Sequence, residues 1–98
     1  MKFTGVGCIF SAAHEAPEGG ALHGHSYEVT AWFEAGDDAR TLQAALMAAV
    51  QKLDHTVLPG HLASGEAMAE HIGRSLDGCI ELEVRRPLER IYARWRAN

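Results

Sequence analysis

Three histidines are spaced so that they could hold one metal ion. His23 and His25 are two positions apart in an alternating segment, so a strand would project both imidazoles from one face. His14 ends the preceding strand-like segment, and a hairpin would bring it beside that pair. Zinc sites that do chemistry commonly use three protein ligands and leave a fourth position for water or substrate. The spacing therefore predicts an open Zn²⁺ site, although imidazole ligands also suit copper and nickel.

The histidines alone are also compatible with side chains that bind no metal. An H-x-H pair also occurs by chance and in surface loops, so the third histidine carries much of the prediction. Two strands have to position the set: the first is predicted over residues 2–13, and the second, which alternates clearly, over 23–33. The intervening segment 15–21 contains proline and glycine and predicts a loop. Gly5 and Gly7 suggest a bulge or bend in the first strand.

The rest of the chain predicts two helices followed by two more strands. A turn at 36–38 precedes apolar residues at helical spacing, and Ser64 is a plausible N-cap for the second helix. The apolar positions of the first helix are Leu42, Leu46, Val50 and Leu53, and those of the second are Met68, Ile72 and Leu76. The last two strands are predicted over 79–84 and 88–95, with a turn at 85–87 between them. The order ββααββ predicts one α+β domain over residues 1–98, with both helices on one face of an antiparallel sheet.

Composition narrows the classes of function. The 98-residue chain is 47% hydrophobic and 22% charged, which is typical of a globular protein, and its net charge of −4 argues against a nucleic-acid surface. We see no membrane span or signal peptide and expect a cytoplasmic protein. Cys8 and Cys79 lack metal-type spacing and are predicted to be small buried hydrophobes. A C-terminal arginine cluster predicts either a solvated edge strand or a docking site for an anionic group or a subunit: Arg85, Arg86, Arg90, Arg94 and Arg96.

Three ordered motifs resemble one protein family. FSAAH at 10–14, HGHSY at 23–27 and LDH at 53–55 are similar to motifs of the 6-pyruvoyl tetrahydropterin synthase family, which includes the 6-carboxytetrahydropterin synthases. The resemblance implies the tunnelling fold, in which ββααββ units close into trimeric barrels and two barrels stack as a homohexamer. It also implies a pterin-like substrate bound beside zinc at a subunit interface.

The same resemblance implies roles for individual residues. His14, His23 and His25 match the zinc ligands, and Asp54 and His55 match the family's proton relay. Zinc would polarise oxygens of the substrate side chain while protons move. The alternative for His55 is a histidine that is favoured by the dipole at the end of a helix.

Two departures from the family pattern concern the reacting groups. The family's general base is a cysteine four residues before H-G-H, and that position is Gly19 here. Glu18 is the nearest replacement, or else a solvated loop carboxylate. The family's ring-anchoring glutamate precedes a tyrosine by eight residues, but counting back from Tyr92 gives Val84. Glu83 would take that substrate-binding role only if a local bulge shifted the strand by one residue.

The sequence thus predicts a zinc-dependent lyase of pterin-synthase type. Its reaction would combine zinc-assisted proton transfer with side-chain cleavage or elimination on a dihydropterin or related heterocycle. Because the cysteine is missing, two alternatives stay open. One is a zinc enzyme with a different substrate, and the other is a non-catalytic homologue that binds a pterin-like ligand.

Overall fold

The computed structural model of the protein describes residues 1–15 and 21–98. Two long strands are followed by two helices and two short strands, which is the predicted order. One turn of 3-10 helix (Gly60–Leu62) lies between the helices. The elements are β1 (Phe3–Glu15), β2 (Leu22–Glu34), α1 (Ala39–Gln51), α2 (Gly65–Ser75), β3 (Glu81–Arg86) and β4 (Ile91–Arg96).

The strands form an antiparallel sheet in the order β1-β2-β3-β4. The β1–β2 register runs without interruption from Phe3 opposite Glu34 to Glu15 opposite Leu22. The bulge predicted at Gly5 and Gly7 is therefore wrong. Gly5 instead allows a close approach, because a Cβ atom there would lie 2.7 Å from the ring of Trp32.

The core lies between the helices and one face of the sheet. Alternate residues of β2 from Tyr27 to Phe33 are buried, which confirms the face predicted from the two-residue period. The largest fully buried side chains come from both helices and the two central strands: Leu46, Met68, Ile72, Leu82 and Val29. The α+β prediction with helices on one face is confirmed.

The second helix begins where the sequence predicted. The side chain of Ser64 accepts a hydrogen bond of 3.1 Å from the backbone N–H of Ala67, which satisfies one free donor of the first turn. Leu76 is the C-cap residue and is buried. Among the described residues, no helix is both long and apolar enough to cross a membrane.

Two predictions near the C-terminus are wrong. Arg85 and Arg86 continue β3 instead of turning, because Arg85 pairs with Glu28 on one side and Tyr92 on the other. The turn lies at 87–90, where Pro87 has no backbone donor and Arg90 adopts a left-handed conformation with φ of +58°. Strand β4 consequently begins three residues later than predicted.

The two cysteines differ in their surroundings. Cys79 is buried, as predicted, whereas Cys8 is only half-buried, so the prediction is wrong for Cys8. Both are free thiols, and burial raises the pKa of each. Cys8 lies on the helix-facing side of an edge strand, where α1 covers it incompletely.

Candidate active site

The β1–β2 hairpin brings the three predicted histidines together. His14 lies directly opposite His23 in the register, and His25 lies opposite Ala12, so all three imidazoles project from the helix-facing side of the sheet. Their ring centroids are 4.4 Å (His14–His23), 5.0 Å (His14–His25) and 4.8 Å (His23–His25) apart. One ring nitrogen from each lies within 4.8 Å of the other two. This cluster could hold a metal ion.

His14 is a buried polar side chain without a hydrogen-bond partner among the described residues. Its exposed fraction is 8%, and neither ring nitrogen has a hydrogen-bond partner among the described residues. Burial, followed by the neighbouring histidines His23 and His25, lowers its pKa, so the ring is neutral near pH 7. A buried polar group without a partner costs about 1–3 kcal/mol. Coordination of one nitrogen to a metal would remove part of that cost, so the residues fit a metal ion.

The other two histidines do have partners, His23 at one ring nitrogen and His25 at both. His23 Nδ1 lies 3.3 Å from the carbonyl oxygen of Ala21. His25 Nδ1 lies 3.0 Å from Glu89 Oε1, and Arg86 Nη1 lies 3.4 Å from His25 Nε2. An acceptor at Nδ1 favours a proton on that atom and leaves the lone pair on Nε2, which is the atom a metal would then use.

Asp54 and His55 form a hydrogen-bonded pair beside β1. Asp54 Oδ1 accepts a hydrogen bond from the backbone N–H of Ser11 at 3.0 Å and lies 2.9 Å from His55 Nδ1. The Ser11 hydrogen bond, helped by His55 and opposed by burial, holds the pKa of Asp54 below its usual value. His55 has a left-handed backbone with φ of +57°, and its side chain is 82% exposed.

Backbone pairing with β1 holds this pair in position. The N–H of His55 donates to the carbonyl of Ser11 at 2.6 Å. Ala13 then donates to the carbonyl of Thr56 at 2.9 Å and accepts from the N–H of Leu58 at 2.7 Å. The segment after α1 therefore lies along the edge of the strand that carries His14. An open groove results, with His25 and His55 both in its wall.

The two remaining predicted residues are Glu18 and Glu83. Glu18 and Gly19 lie outside the described residues. Glu83 is buried on the opposite face of the sheet, where Arg85 Nε donates to one carboxylate oxygen and Arg94 Nε donates to the other at 2.6 Å. Burial raises its pKa, but hydrogen bonds from these two arginines outweigh that effect and lower it.

The β3–β4 register leaves no room for the shift that Glu83 was expected to need. It is continuous from Glu81 opposite Arg96 to Arg86 opposite Ile91, so the hypothesised bulge is absent. Glu83 consequently points away from the helix-facing side on which the histidines lie.

Sequence reasoning missed the contacts that Arg86 and Glu89 make with His25. Both belong to the β3–β4 hairpin, and Glu89 is 64 positions from the histidine that it contacts. A turn with charged residues around Pro87 was visible in the sequence. Its reach toward the β1–β2 hairpin depends on the sheet order and the register, which local patterns do not specify.

Comparison with solved structures identifies the fold. The 6-pyruvoyl tetrahydropterin synthase of Caenorhabditis elegans matches with a TM-score of 0.74 at 14% identity, over 100% of this chain and 98% of that one. The Plasmodium vivax synthase matches with a TM-score of 0.66 at 15% identity, over 99% and 100%. A P. vivax variant with a catalytic glutamate replaced by alanine gives a TM-score of 0.64 at 15% identity, over 99% and 100%.

These likenesses show a shared fold. No family model matches the sequence. No curated protein matches it either.

Proposed function

We propose that this chain, which has the fold of the 6-pyruvoyl tetrahydropterin synthases, is a zinc-dependent homologue of those enzymes. Its reaction would be proton transfer with side-chain cleavage or elimination on a dihydropterin or a related heterocycle. The observation that carries the proposal is the buried His14, whose two ring nitrogens have no described partner, inside a cluster of three imidazoles.

His14, His23 and His25 would hold the zinc ion. Three neutral imidazoles suit Zn²⁺ and leave one position of a tetrahedral shell for substrate. When bound, the ion supplies Lewis-acid polarisation of substrate oxygens. The neutral state of His14 agrees with this role, because a protonated imidazole cannot coordinate a metal.

Asp54 and His55 would move the proton. The Asp54 carboxylate lies at Nδ1 of His55, so it orients the ring and stabilises its cationic form. The remaining nitrogen, Nε2, is then the atom that can exchange a proton with substrate. The high exposure of the His55 side chain supports this assignment over a purely structural role, because a substrate can reach it.

Glu18 would act as the base in place of the missing cysteine. It precedes His23 by five residues in the sequence, between His14 and His23. The P. vivax synthase, in which a catalytic glutamate has been replaced for study, supports a carboxylate in such a role. A carboxylate can accept a proton from substrate if it lies within hydrogen-bond reach.

A zinc enzyme with a different substrate is the second candidate, and Glu83 favours it. Glu83 is buried, and each of its oxygens contacts an arginine, so Arg85 and Arg94 would have to move before a pterin ring could reach this carboxylate. If they stay in place, the ring is held by other groups or the heterocycle is a different one. A non-catalytic ligand-binding homologue would not need the Asp54–His55 pair.

We also propose the homohexamer, built as a dimer of trimers, for this chain. The sheet has two open edges at β1 and β4, and apolar side chains such as Ile9 and Leu88 are 78% and 89% exposed. Edge-to-edge pairing between subunits would cover part of this surface. Cytoplasmic localisation remains a prediction from the sequence.

The metal assignment is tested by measuring zinc content. We expect wild-type protein to bind about one zinc ion per chain, because three ligands converge on one point. His23→Ala should empty the site, and His61→Ala, which removes an exposed histidine in the 3-10 helix, should leave it full. Full zinc occupancy in His23→Ala would contradict the three-histidine site.

The relay is tested by separating metal binding from turnover. Zinc-loaded protein is incubated with dihydroneopterin triphosphate and with dihydroneopterin while products are followed. His55→Ala should keep its zinc and lose about 10²–10⁴-fold in turnover, the usual contribution of a positioned acid or base. Loss of zinc in this variant would show a ligand or folding role instead. Binding of both compounds without any turnover by wild type would favour the non-catalytic alternative.

A further inference from the structure

We propose that Glu89 is a positioning residue that fixes the orientation and tautomer of His25 for metal binding. The inference rests on the proposed metal site and adds a residue from a different hairpin to it. Glu89 itself would not touch the metal.

The contact between the two side chains is direct. Glu89 Oε1 lies 3.0 Å from His25 Nδ1, which is an ordinary hydrogen-bond length. The His25 side chain is only 11% exposed, whereas that of Glu89 is 41% exposed. A hydrogen bond to a shielded ring is less easily replaced by water, so the carboxylate can hold this imidazole in one rotamer.

The β3–β4 turn gives Glu89 a defined position. The N–H of Glu89 donates to the carbonyl of Arg86 at 3.2 Å, and the N–H of Arg90 donates to the carbonyl of Pro87 at 3.3 Å. The proline ring and the left-handed Arg90 restrict the backbone further. Arg86 pairs with Ile91 across the end of the hairpin, which closes the turn.

Contacts on both nitrogens of His25 agree on one tautomer. Nδ1 faces a carboxylate, which can only accept, so Nδ1 carries the proton. Nε2 faces Arg86 Nη1 at 3.4 Å, which can only donate, so Nε2 carries the lone pair. His23 has the same arrangement, with its Nδ1 toward a backbone carbonyl. Both strand histidines therefore keep the lone pair on Nε2, and on His25 the Arg86 guanidinium has to move aside before a metal can bind there.

A carboxylate in this position does more than orient the ring. It increases the electron density on the coordinating nitrogen, and removal of such a partner typically lowers metal affinity by about 10–100-fold. A neutral amide in the same place would keep the acceptor oxygen but lose the charge.

The test compares zinc affinity among matched variants by competition with a chelator. We expect Glu89→Ala to bind zinc about 10–100-fold more weakly than wild type and Glu89→Gln to lie between them. Glu70→Gln is the matched control, because Glu70 also forms a 3.0 Å ion pair, with Arg74, on the exposed surface of α2. It should bind zinc as tightly as wild type.

A second measurement reads the tautomer without metal. Nitrogen-15 NMR of the His25 ring should show the Nδ1-protonated form in wild type and Glu89→Gln, and a mixture of tautomers in Glu89→Ala. A changed tautomer together with a native circular dichroism spectrum would show that the substitution acts on the His25 ring and not on the fold.

The outcomes separate this inference from the proposed function. If His23→Ala loses zinc while Glu89→Ala binds it with wild-type affinity, Glu89 is not a positioning residue and the metal site stands. If wild-type protein binds no zinc, the metal site fails, and the inference fails with it.

Discussion

At the scale of single residues, the sequence was sufficient to predict which side chains lie close together within one hairpin. His14, His23 and His25 could be placed together because strand side chains alternate and a hairpin returns on itself. Glu89 could not be found this way, because its contact with His25 spans 64 residues and depends on the sheet order. The motif count gave Val84 as the ring anchor, and Glu83 would take that role only through a local bulge, which the continuous β3–β4 register does not contain.

Asp54 gives the fold a pH-dependent contribution to stability. Its pKa is lowered in the folded protein, so its ionised form contributes stability above the unfolded-state pKa. That contribution is lost as the pH falls through the folded-state pKa. We expect Asp54→Asn to unfold at lower urea concentration than wild type at pH 7, and the difference to shrink as the solution is acidified.

The control for this prediction is Asp77→Asn. Asp77 is exposed, and its side chain makes no hydrogen bond or ion pair within the described ranges 1–15 and 21–98. Its urea midpoint should stay near that of wild type at pH 7. A wild-type–Asp54→Asn difference that is constant from neutral to acidic pH would contradict the assigned role of the Asp54 charge.

At the scale of elements, apolar periodicity and a capping serine predicted both helices and the long strands. The errors lie at the strand ends near the C-terminus. Arg85 and Arg86 resemble turn residues by composition, yet cross-strand neighbours such as Glu28 and Tyr92 keep them in β3. Tertiary pairing decided the boundary there, and a single sequence does not contain that information directly.

Helix α2 packs closely on β4 through a glycine. A Cβ atom on Gly73 would collide with the ring of Trp95. We expect Gly73→Ala to lower the free energy of unfolding by about 1–2 kcal/mol, because overpacking outweighs the gain of about 1 kcal/mol in helix propensity. Urea unfolding measures this change.

Two further variants test whether contact with the Trp95 ring causes this loss of stability. Gly60→Ala has no atom within 4 Å of the added carbon, so its stability should change by less than about 0.5 kcal/mol. Gly73→Ala should cost less in a Trp95→Leu background, because the smaller side chain leaves room. If Gly73→Ala lowers the free energy of unfolding equally in both backgrounds, contact with the Trp95 ring is not the cause.

At the scale of the whole molecule, residues 1–15 and 21–98 cover one face of the sheet with helices and leave the other without them. The face away from the helices carries the ion cluster around Glu83, and β1 and β4 are edges. Among the described residues, the chain itself covers the edge of β1 near Ser11 and Ala13, and Gln43 Nε2 donates to the carbonyl of Gly7 at 3.1 Å. The sequence predicted this layered architecture, but how copies associate depends on edge geometry that periodicity does not describe.

Assembly is predicted to be hexameric at micromolar concentration. If the proposed dimer of trimers forms, sedimentation equilibrium should give about six times the chain mass of 10.6 kDa, and contacts between copies would cover sheet edges and exposed apolar side chains. His23→Ala serves as the control and should keep the same mass, since the three histidines lie within one hairpin. A monomer for wild type at this concentration would rule out the barrel.

The location of all three histidines in one hairpin has a consequence for the order of assembly. Hairpins form within about 1–10 μs, and this one is complete once the first 34 residues are available. The Asp54–Ser11 contact joins residues 43 positions apart and must wait for α1. Under the proposed function, the three histidines would therefore meet during synthesis before Asp54 can join Ser11, and metal capture would precede assembly of the relay.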